Sequence, residues 1–138
     1  MVTRNGNGPW VNSRDTIAID VKGSTTIDLP VTPFFTISNS TISVANNTMT
    51  TSFTINQVVP TAQIDRVLLL LNTTAFVDDG FNIMRKDFTA NLTTGAVNLT
   101  ADLNGNTKVA SAKALYGRVC VWTRGADQGI YSPVVRLK

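Results

Sequence analysis

Three carboxylates, Asp78, Asp79 and Asp87, fall close together in the sequence. Calcium and other hard cations want several carboxylate oxygens. Two acids flanking a cleft are also the machinery of glycoside hydrolysis. Neither chemistry fits well. The spacing does not match an EF-hand loop, and Asp79-Gly80 is itself a turn signal that accounts for the glycine. All 9 acidic residues are Asp, and His is absent. Cys120 therefore has no imidazole with which to form a Cys–His nucleophile. A lone Cys makes neither an intramolecular disulfide nor a cysteine zinc cluster, and its bland role is that of a small hydrophobe. Ser132 stands before Pro133 at a strand end rather than on a nucleophile elbow. The sequence thus predicts no enzyme, no metal site and no cofactor. What remains is a set of side chains suited to contact: Tyr116, Arg118 and Trp122, an even number of residues apart along one segment.

Those residues need strands to position them, and strands are what the pattern predicts. Ile17, Ile19 and Val21 alternate with smaller or polar residues, as do Ile27, Leu29 and Val31 beyond a Lys22-Gly23-Ser24 turn. Residues 16–31 therefore read as a β-hairpin following a loop-like start over 1–14. Pro30 and Pro33 limit the ladder of its second arm. Phe35, Ile37, Ile42 and Val44 read as one strand or two. Met49, Thr51, Phe53 and Ile55 read as a half-buried strand after an Asn46-Asn47 turn. Residues 64–72 form the most apolar strand. Val97, Leu99, Ala101 and Leu103 alternate next, Lys108–Lys113 allows one helical turn, and 115–123 and 130–137 close the chain. No stretch sustains helical periodicity over three turns. The expected fold is all-β: an Ig-like or fibronectin type III-like antiparallel sandwich of about seven strands, preceded by a β-hairpin. The expected division is 1–33, a loop and hairpin, and 34–138, the sandwich.

Side-chain alternation then selects a face. If Val119 and Val121 point to the core, Tyr116, Arg118, Cys120 and Trp122 point out. The opposite register would bury Arg118, which is costly without a partner. If Val67, Leu69 and Leu71 point in, Leu68 and Leu70 point out with Arg66. These two strands are neighbours in an Ig-like sheet. Leu68, Leu70, Tyr116, Arg118 and Trp122 then form the candidate binding surface, an apolar outer patch that something should cover. The other sheet shows Thr, Asn, Asp and Ser outside. Three covers fit the patch. The first is the chain itself, through hairpin 16–31 and Trp10. The second is a partner protein or a second copy. The third is a glycan stacked on Trp122 or Tyr116, with Arg118 and Asn72 as polar contacts.

Length and composition bound the rest. The chain has 138 residues, is 43% hydrophobic and 15% charged, and carries a net charge of +3. It is one domain or a domain plus a fragment, with enough apolar residues for a core. Its basic residues are scattered, so no nucleic-acid partner is expected. The apolar run Val67–Leu71 is too short to span a bilayer. Thr- and Asn-rich polar surfaces without Glu suit strands and turns of an exported protein. Asn-x-Ser/Thr at Asn39, Asn46, Asn72, Asn91 and Asn98 follows from that composition.

Two segments carry a resemblance. Leu115-Tyr-Gly-Arg-Val-Cys-Val-Trp-Thr-Arg-Gly followed by Ile130-Tyr-Ser-Pro-Val-Val resembles the last hairpin of fibronectin type III-like domains. Asp15–Pro33, with DVKG leading to IDLPVTP, resembles the final hairpin of a carboxypeptidase-regulatory-like domain. In this order they look like an uncharacterised family of Bacteroidetes outer-surface lipoproteins associated with glycan-uptake loci. The resemblance implies that 1–33 is the remnant of a preceding domain. It also implies a non-catalytic structural or docking module at the outer-membrane surface or in the periplasm, accessory to polysaccharide uptake. The expected partners are other surface proteins of such an assembly or a polysaccharide, with membrane contact only through a lipid anchor that this sequence lacks. A direct carbohydrate-binding module using the Trp122 face, and an adhesin- or pilin-type subunit that assembles with its own copies, are the alternatives.

Overall fold

The computed structural model describes residues 2–4 and 6–138, with side chains from Gly6 onward. Two short strands, β1 (Val2–Arg4) and β2 (Ser13–Ile17), pair with each other alone. Next come β3 (Phe35–Ala45), β4 (Thr48–Gln57), β5 (Ile64–Asn72), β6 (Met84–Phe88) and β7 (Gly95–Asp102). One helical turn, α1 (Thr107–Ser111), precedes β8 (Tyr116–Thr123), β9 (Gly129–Tyr131) and β10 (Val135–Arg136). The smaller sheet runs β3-β4-β7. The larger runs β6-β5-β8, with β9 and β10 both pairing with β8. Every ladder is antiparallel. The chain is an antiparallel β-sandwich, as the alternation predicts.

The core lies between the sheets. Met49, Phe53 and Ile55 of β4 meet Val67, Leu69 and Leu71 of β5 and Val119 and Val121 of β8. Fully burying one such side chain stabilises by roughly 1.5–3 kcal/mol. Thr51, buried in the same row, satisfies its hydroxyl on the Leu99 carbonyl at 3.3 Å, so its polarity costs little. Asn46 and Asn47 turn β3 into β4 with φ of 49° and 57°, the pair of positive values a two-residue hairpin needs. β3 is one strand rather than two. It shifts register between Ser38 and Thr41, where Asn39 has φ 53°, and this bulge explains the break in its alternation.

Three expectations need correction. A two-stranded unit does precede the sandwich, but its arms are β1 and β2, not the two halves of 16–31. Residues 18–32 form no strand. Pro30 and Pro33 have no N–H to give a ladder, and Ile27 and Val31 stay exposed. β6 was not read as a strand, because Arg85, Lys86 and Asp87 hide the pattern. The last strand is split into β9 and β10. At the break, Ser132 N–H donates to Val119 O at 2.9 Å and Ser132 Oγ accepts from Val119 N–H at 3.0 Å. The serine side chain replaces a backbone acceptor there, so the buried N–H is satisfied.

Candidate functional site

The ladders arrange the outer face of the larger sheet in rows. Asp87, Leu68, Cys120 and Tyr131 stand abreast across β6, β5, β8 and β9. Arg85, Leu70 and Arg118 form the next row. Arg66, Trp122 and Gly129 form the row on the opposite side. Leu68, Leu70, Tyr116, Arg118 and Trp122 do share one face, as the alternation requires. They are not an open patch. Leu68, Leu70 and Cys120 are 0% exposed. Their cover comes from the chain itself, though not from residues 16–31. It is Val77, from the loop between β5 and β6, which forms a second small core with them. Tyr116, Trp122, Tyr131 and Val134 pack around its edge.

Strands β8 and β9 fasten that loop. Arg118 Nη1 donates to Val77 O at 3.3 Å, and its Nε donates to Ser132 O at 2.6 Å. Its guanidinium also lies 4.7 Å from the centre of the Tyr131 ring, within cation–π range. The Tyr131 hydroxyl donates to Asp79 Oδ1 at 2.8 Å and accepts from Asp79 N–H at 3.2 Å. Asp78 Oδ1 accepts from the N–H groups of Gly80 and Phe81 at 2.8 and 2.7 Å. Asp78-Asp79-Gly80 is therefore a side-chain-stabilised turn that lets Val77 point down. Arg118 acts as a clamp and not as a free contact residue. Burial pushes the Cys120 thiol up to about 12, and burial beside Cys120 raises the Tyr131 phenol as well. Neither side chain is primed as a nucleophile or base.

One edge of the covered face stays open. The segment around Trp10 docks there: Asp127 N–H donates to Asn7 O at 2.6 Å, and Phe34 N–H donates to Pro9 O at 3.1 Å. Trp10 also bridges to Pro33. Between this segment, the covering loop and the β8–β9 turn runs a groove of about 360 Å³. Trp10, Trp122 and Tyr131 provide its aromatic surfaces, and Asp78, Asp79 and Asp127 its carboxylates. The aromatic tips are anchored. Trp122 Nε1 donates to Ala126 O at 2.8 Å, and Tyr131 is held by Asp79. Two glycines make room. A Cβ at Gly129 would stand 2.2 Å from Cys120 Sγ and 3.0 Å from the Trp122 ring, and one at Gly8 would stand 2.5 Å from the Trp10 ring. Trp10 Nε1 is buried and makes no hydrogen bond.

A larger depression of about 550 Å³ lies near Gln57, Gln63 and Arg124. Its largest polar side chains are engaged: Gln57 Nε2 donates to three carbonyls and Arg124 Nη1 to Gln63 Oε1. Its one aromatic, Phe35, is buried in the core. The groove is the better candidate.

Of the sequence-predicted surface, only Trp122 lines this groove. Leu68 and Leu70 lie beneath the covering loop, Arg118 clamps it, and Tyr116 packs at its margin. Sequence reasoning missed Tyr131 and the covering Val77. It also missed Phe76 and Phe81, which flank Val77 on the same loop and are 82% and 68% exposed. The signal was present: Ala75-Phe76-Val77 is an apolar triplet inside a turn-rich stretch.

Fold and site together define a two-sheet antiparallel β-sandwich with an aromatic-walled groove at the edge of one outer face. The chain belongs to the DUF3823 family: residues 35–136 match the model of its C-terminal domain, a domain of unknown function (DUF3823_C). A solved DUF3823 family protein from Parabacteroides merdae is 54% identical, with a TM-score of 0.92 over 99% of this chain and 68% of that one. Another from Bacteroides ovatus is 29% identical, with a TM-score of 0.84 over 98% of this chain and 71% of that one. A Bacteroides uniformis protein named as a putative carbohydrate binding protein shares the fold at 18% identity, with a TM-score of 0.81 over 96% of this chain and 70% of that one. No curated protein matches the chain.

Proposed function

We propose that this chain is a non-catalytic carbohydrate-binding module, and that the glycan lies in the groove between Trp10, Trp122 and Tyr131. The observation that carries the reading is the combination of ring surfaces and carboxylates in that one open groove. Sugar rings present apolar C–H faces and polar hydroxyl edges. A site for them joins flat apolar surfaces to a few fixed polar groups. Trp122 and Tyr131 are held at their polar tips before any ligand arrives, which reduces the ordering cost of binding. The carboxylates serve as acceptors rather than as an acid–base pair, because Asp78 is engaged by turn N–H groups and Asp79 by Tyr131. The distant fold relative named for carbohydrate binding is consistent with this use of the sandwich.

We place the module in an exported surface protein that serves glycan uptake, attached through a lipid anchor outside this sequence. The Glu-free, Thr- and Asn-rich composition supports that setting. The test is titration of intrinsic tryptophan fluorescence, with calorimetry in parallel, using neutral oligosaccharides of glucose, mannose, galactose and xylose. The expected result is saturable binding of at least one series, lost in Trp10→Ala while the melting transition persists. Absence of heat and of any fluorescence change across the whole panel would overturn the reading.

A further inference from the structure

The groove does not end at Asp78. The same residue lines a second cavity of about 340 Å³, with Asn72, Thr74, Phe76 and Phe81. Phe76 and Phe81 are the two most exposed large apolar side chains among the described residues. Single exposed hydrophobic residues are ordinary, but two on one short loop, bordering one cavity, form a patch. The backbone that carries them is braced. Asn72 Nδ2 donates to Phe76 O at 2.7 Å and to Phe81 O at 3.3 Å. Asn82 Nδ2 donates to Asp78 O at 3.1 Å and to Asp79 O at 3.0 Å. Conformational freedom in a loop opposes the display of apolar rings to water. Here hydrogen bonds from Asn72 and Asn82 hold the display in place.

Charge narrows the ligand. The protein is basic overall, with a net charge of +3, yet the groove is lined by Asp78, Asp79 and Asp127 and by no Lys or Arg. The second cavity adds no cation. Of the nearby guanidinium groups, Arg118 is held by Val77 and Ser132 against the Tyr131 ring, and Arg85 is paired with Asp87 while also reaching the Asp79 carbonyl at 3.5 Å. A chain bearing carboxylates or sulfates would meet the three groove carboxylates and then Asp78 again in the second cavity.

We infer that the two cavities form one continuous site for an extended, uncharged polysaccharide chain. The chain enters between Trp10 and Trp122, passes Asp78 and continues onto Phe76 and Phe81. This inference rests on the carbohydrate reading of the groove and adds ligand length and charge to it.

The experiment is calorimetric titration of the intact chain with a neutral oligosaccharide series from disaccharide to hexasaccharide, taken from whichever neutral glycan binds. It is repeated with Phe76→Ser/Phe81→Ser and with a uronate-containing hexasaccharide. Affinity is expected to rise with length. The double variant should lose about tenfold for the hexasaccharide and change little for the disaccharide. The uronate chain should bind about tenfold more weakly, with the gap narrowing as salt is added. Disaccharide and hexasaccharide binding equally, with no effect of the double variant, would overturn the inference and leave the groove reading intact. Preferential binding of the acidic chain would overturn it too. Failure of every glycan at every length would remove the groove reading and the inference with it. Concentration-dependent dimerisation abolished by the double variant, with no glycan effect on it, would assign the phenylalanines to a second copy instead.

Discussion

The outer face of the larger sheet and the segment from Ala18 to Thr32 carry the same kind of alternating apolar residues. Their fates differ. Leu68, Leu70 and Cys120 are shut away from water beneath Val77. Val21, Ile27 and Val31 remain 65%, 40% and 43% exposed. Intrinsic preference does not separate them, since both stretches are rich in β-branched or aliphatic residues. What separates them is a cover within reach. The loop between β5 and β6 begins and ends on the very sheet it covers, so laying Val77 on that face closes only a short loop. The segment 18–32 follows β1 and β2 and joins no strand of either sandwich sheet, and two strands alone make a marginal unit in water. A pattern of alternation specifies a face. Whether that face is buried depends on a second element that the pattern does not contain.

The comparison breaks first at its strongest point. Leu70→Ala, under the covering loop, is expected to cost about 2–5 kcal/mol, the range for emptying a packed site. Ile27→Ala, in the open segment, should stay within about 0.5 kcal/mol. Urea unfolding of the two variants measures both. Equal losses would mean that the open segment is packed in solution.

Gly129 sharpens the same contrast from the side of overpacking. Its neighbours leave no space for a methyl group, so Gly129→Ala should destabilise by about 1–3 kcal/mol. Adding Cys120→Ala, which removes the sulfur the new methyl would strike, should return part of that loss. The double-mutant cycle reads the coupling directly. Gly23, in the open segment, has nothing near its Cβ position. Any cost of Gly23→Ala there comes from its φ of 139° and not from crowding.

The fastening of the cover gives the third prediction. Arg118→Met keeps the length of the side chain but leaves the carbonyls of Val77 and Ser132 without their donor, at about 1–3 kcal/mol. Hydrogen exchange should speed up in residues 73–83 before it does in the core strands. Cys120 reports the same opening. Its thiol, pushed up to about 12 by burial, stays protonated at pH 8 while the face is closed. Alkylation at that pH should therefore be slow in the parent protein and faster in Arg118→Met. Equal labelling rates in the two would show that Arg118 does not hold the loop.

These results bear on what could be read from the residues alone. The inward and outward sets of β5 and β8 were legible, because Arg118 excludes the wrong register and alternation does the rest. The strand at Met49–Ile55 was legible for the same reason. The cover was not. Val77 is one apolar residue in a turn-rich stretch, and Arg118 and Tyr131, which fasten its loop, lie 41 and 54 residues away. The open groove was half legible: Trp122 was placed on the right face, but its aromatic companions Trp10 and Tyr131 come from a loop and from β9. The hairpin at 16–31 was misread because its two alternating halves satisfy every local rule except the need for something to face.

The smallest expected effect concerns two surface ion pairs, one in each region. On the covered face, Arg85 Nε lies 2.7 Å from Asp87 Oδ1, with Arg66 Nη1 3.8 Å from Oδ2. In the open segment, Lys22 Nζ lies 3.3 Å from Asp20 Oδ2, with both side chains at least 80% exposed. The hydrogen bond from Arg85, helped by its charge and that of Arg66, holds the Asp87 carboxyl below the usual carboxylate range. A carboxyl whose folded pKa is depressed contributes stability that is fully present above the unfolded value of about 3.9 and is lost as the pH falls through the folded value. Because the pair is partly exposed and screened, that contribution is at most about 1 kcal/mol. Asp87→Asn should therefore melt slightly below the parent at pH 7, and the difference should close at acid pH and shrink in high salt. Asp20→Asn should melt with the parent at pH 7, because two long-tethered charges in water gain too little from each other to hold a fixed geometry. If both variants lost the same amount at pH 7, the covered face would have no electrostatic advantage over the open segment. The contrast between the two regions would then rest on apolar burial alone.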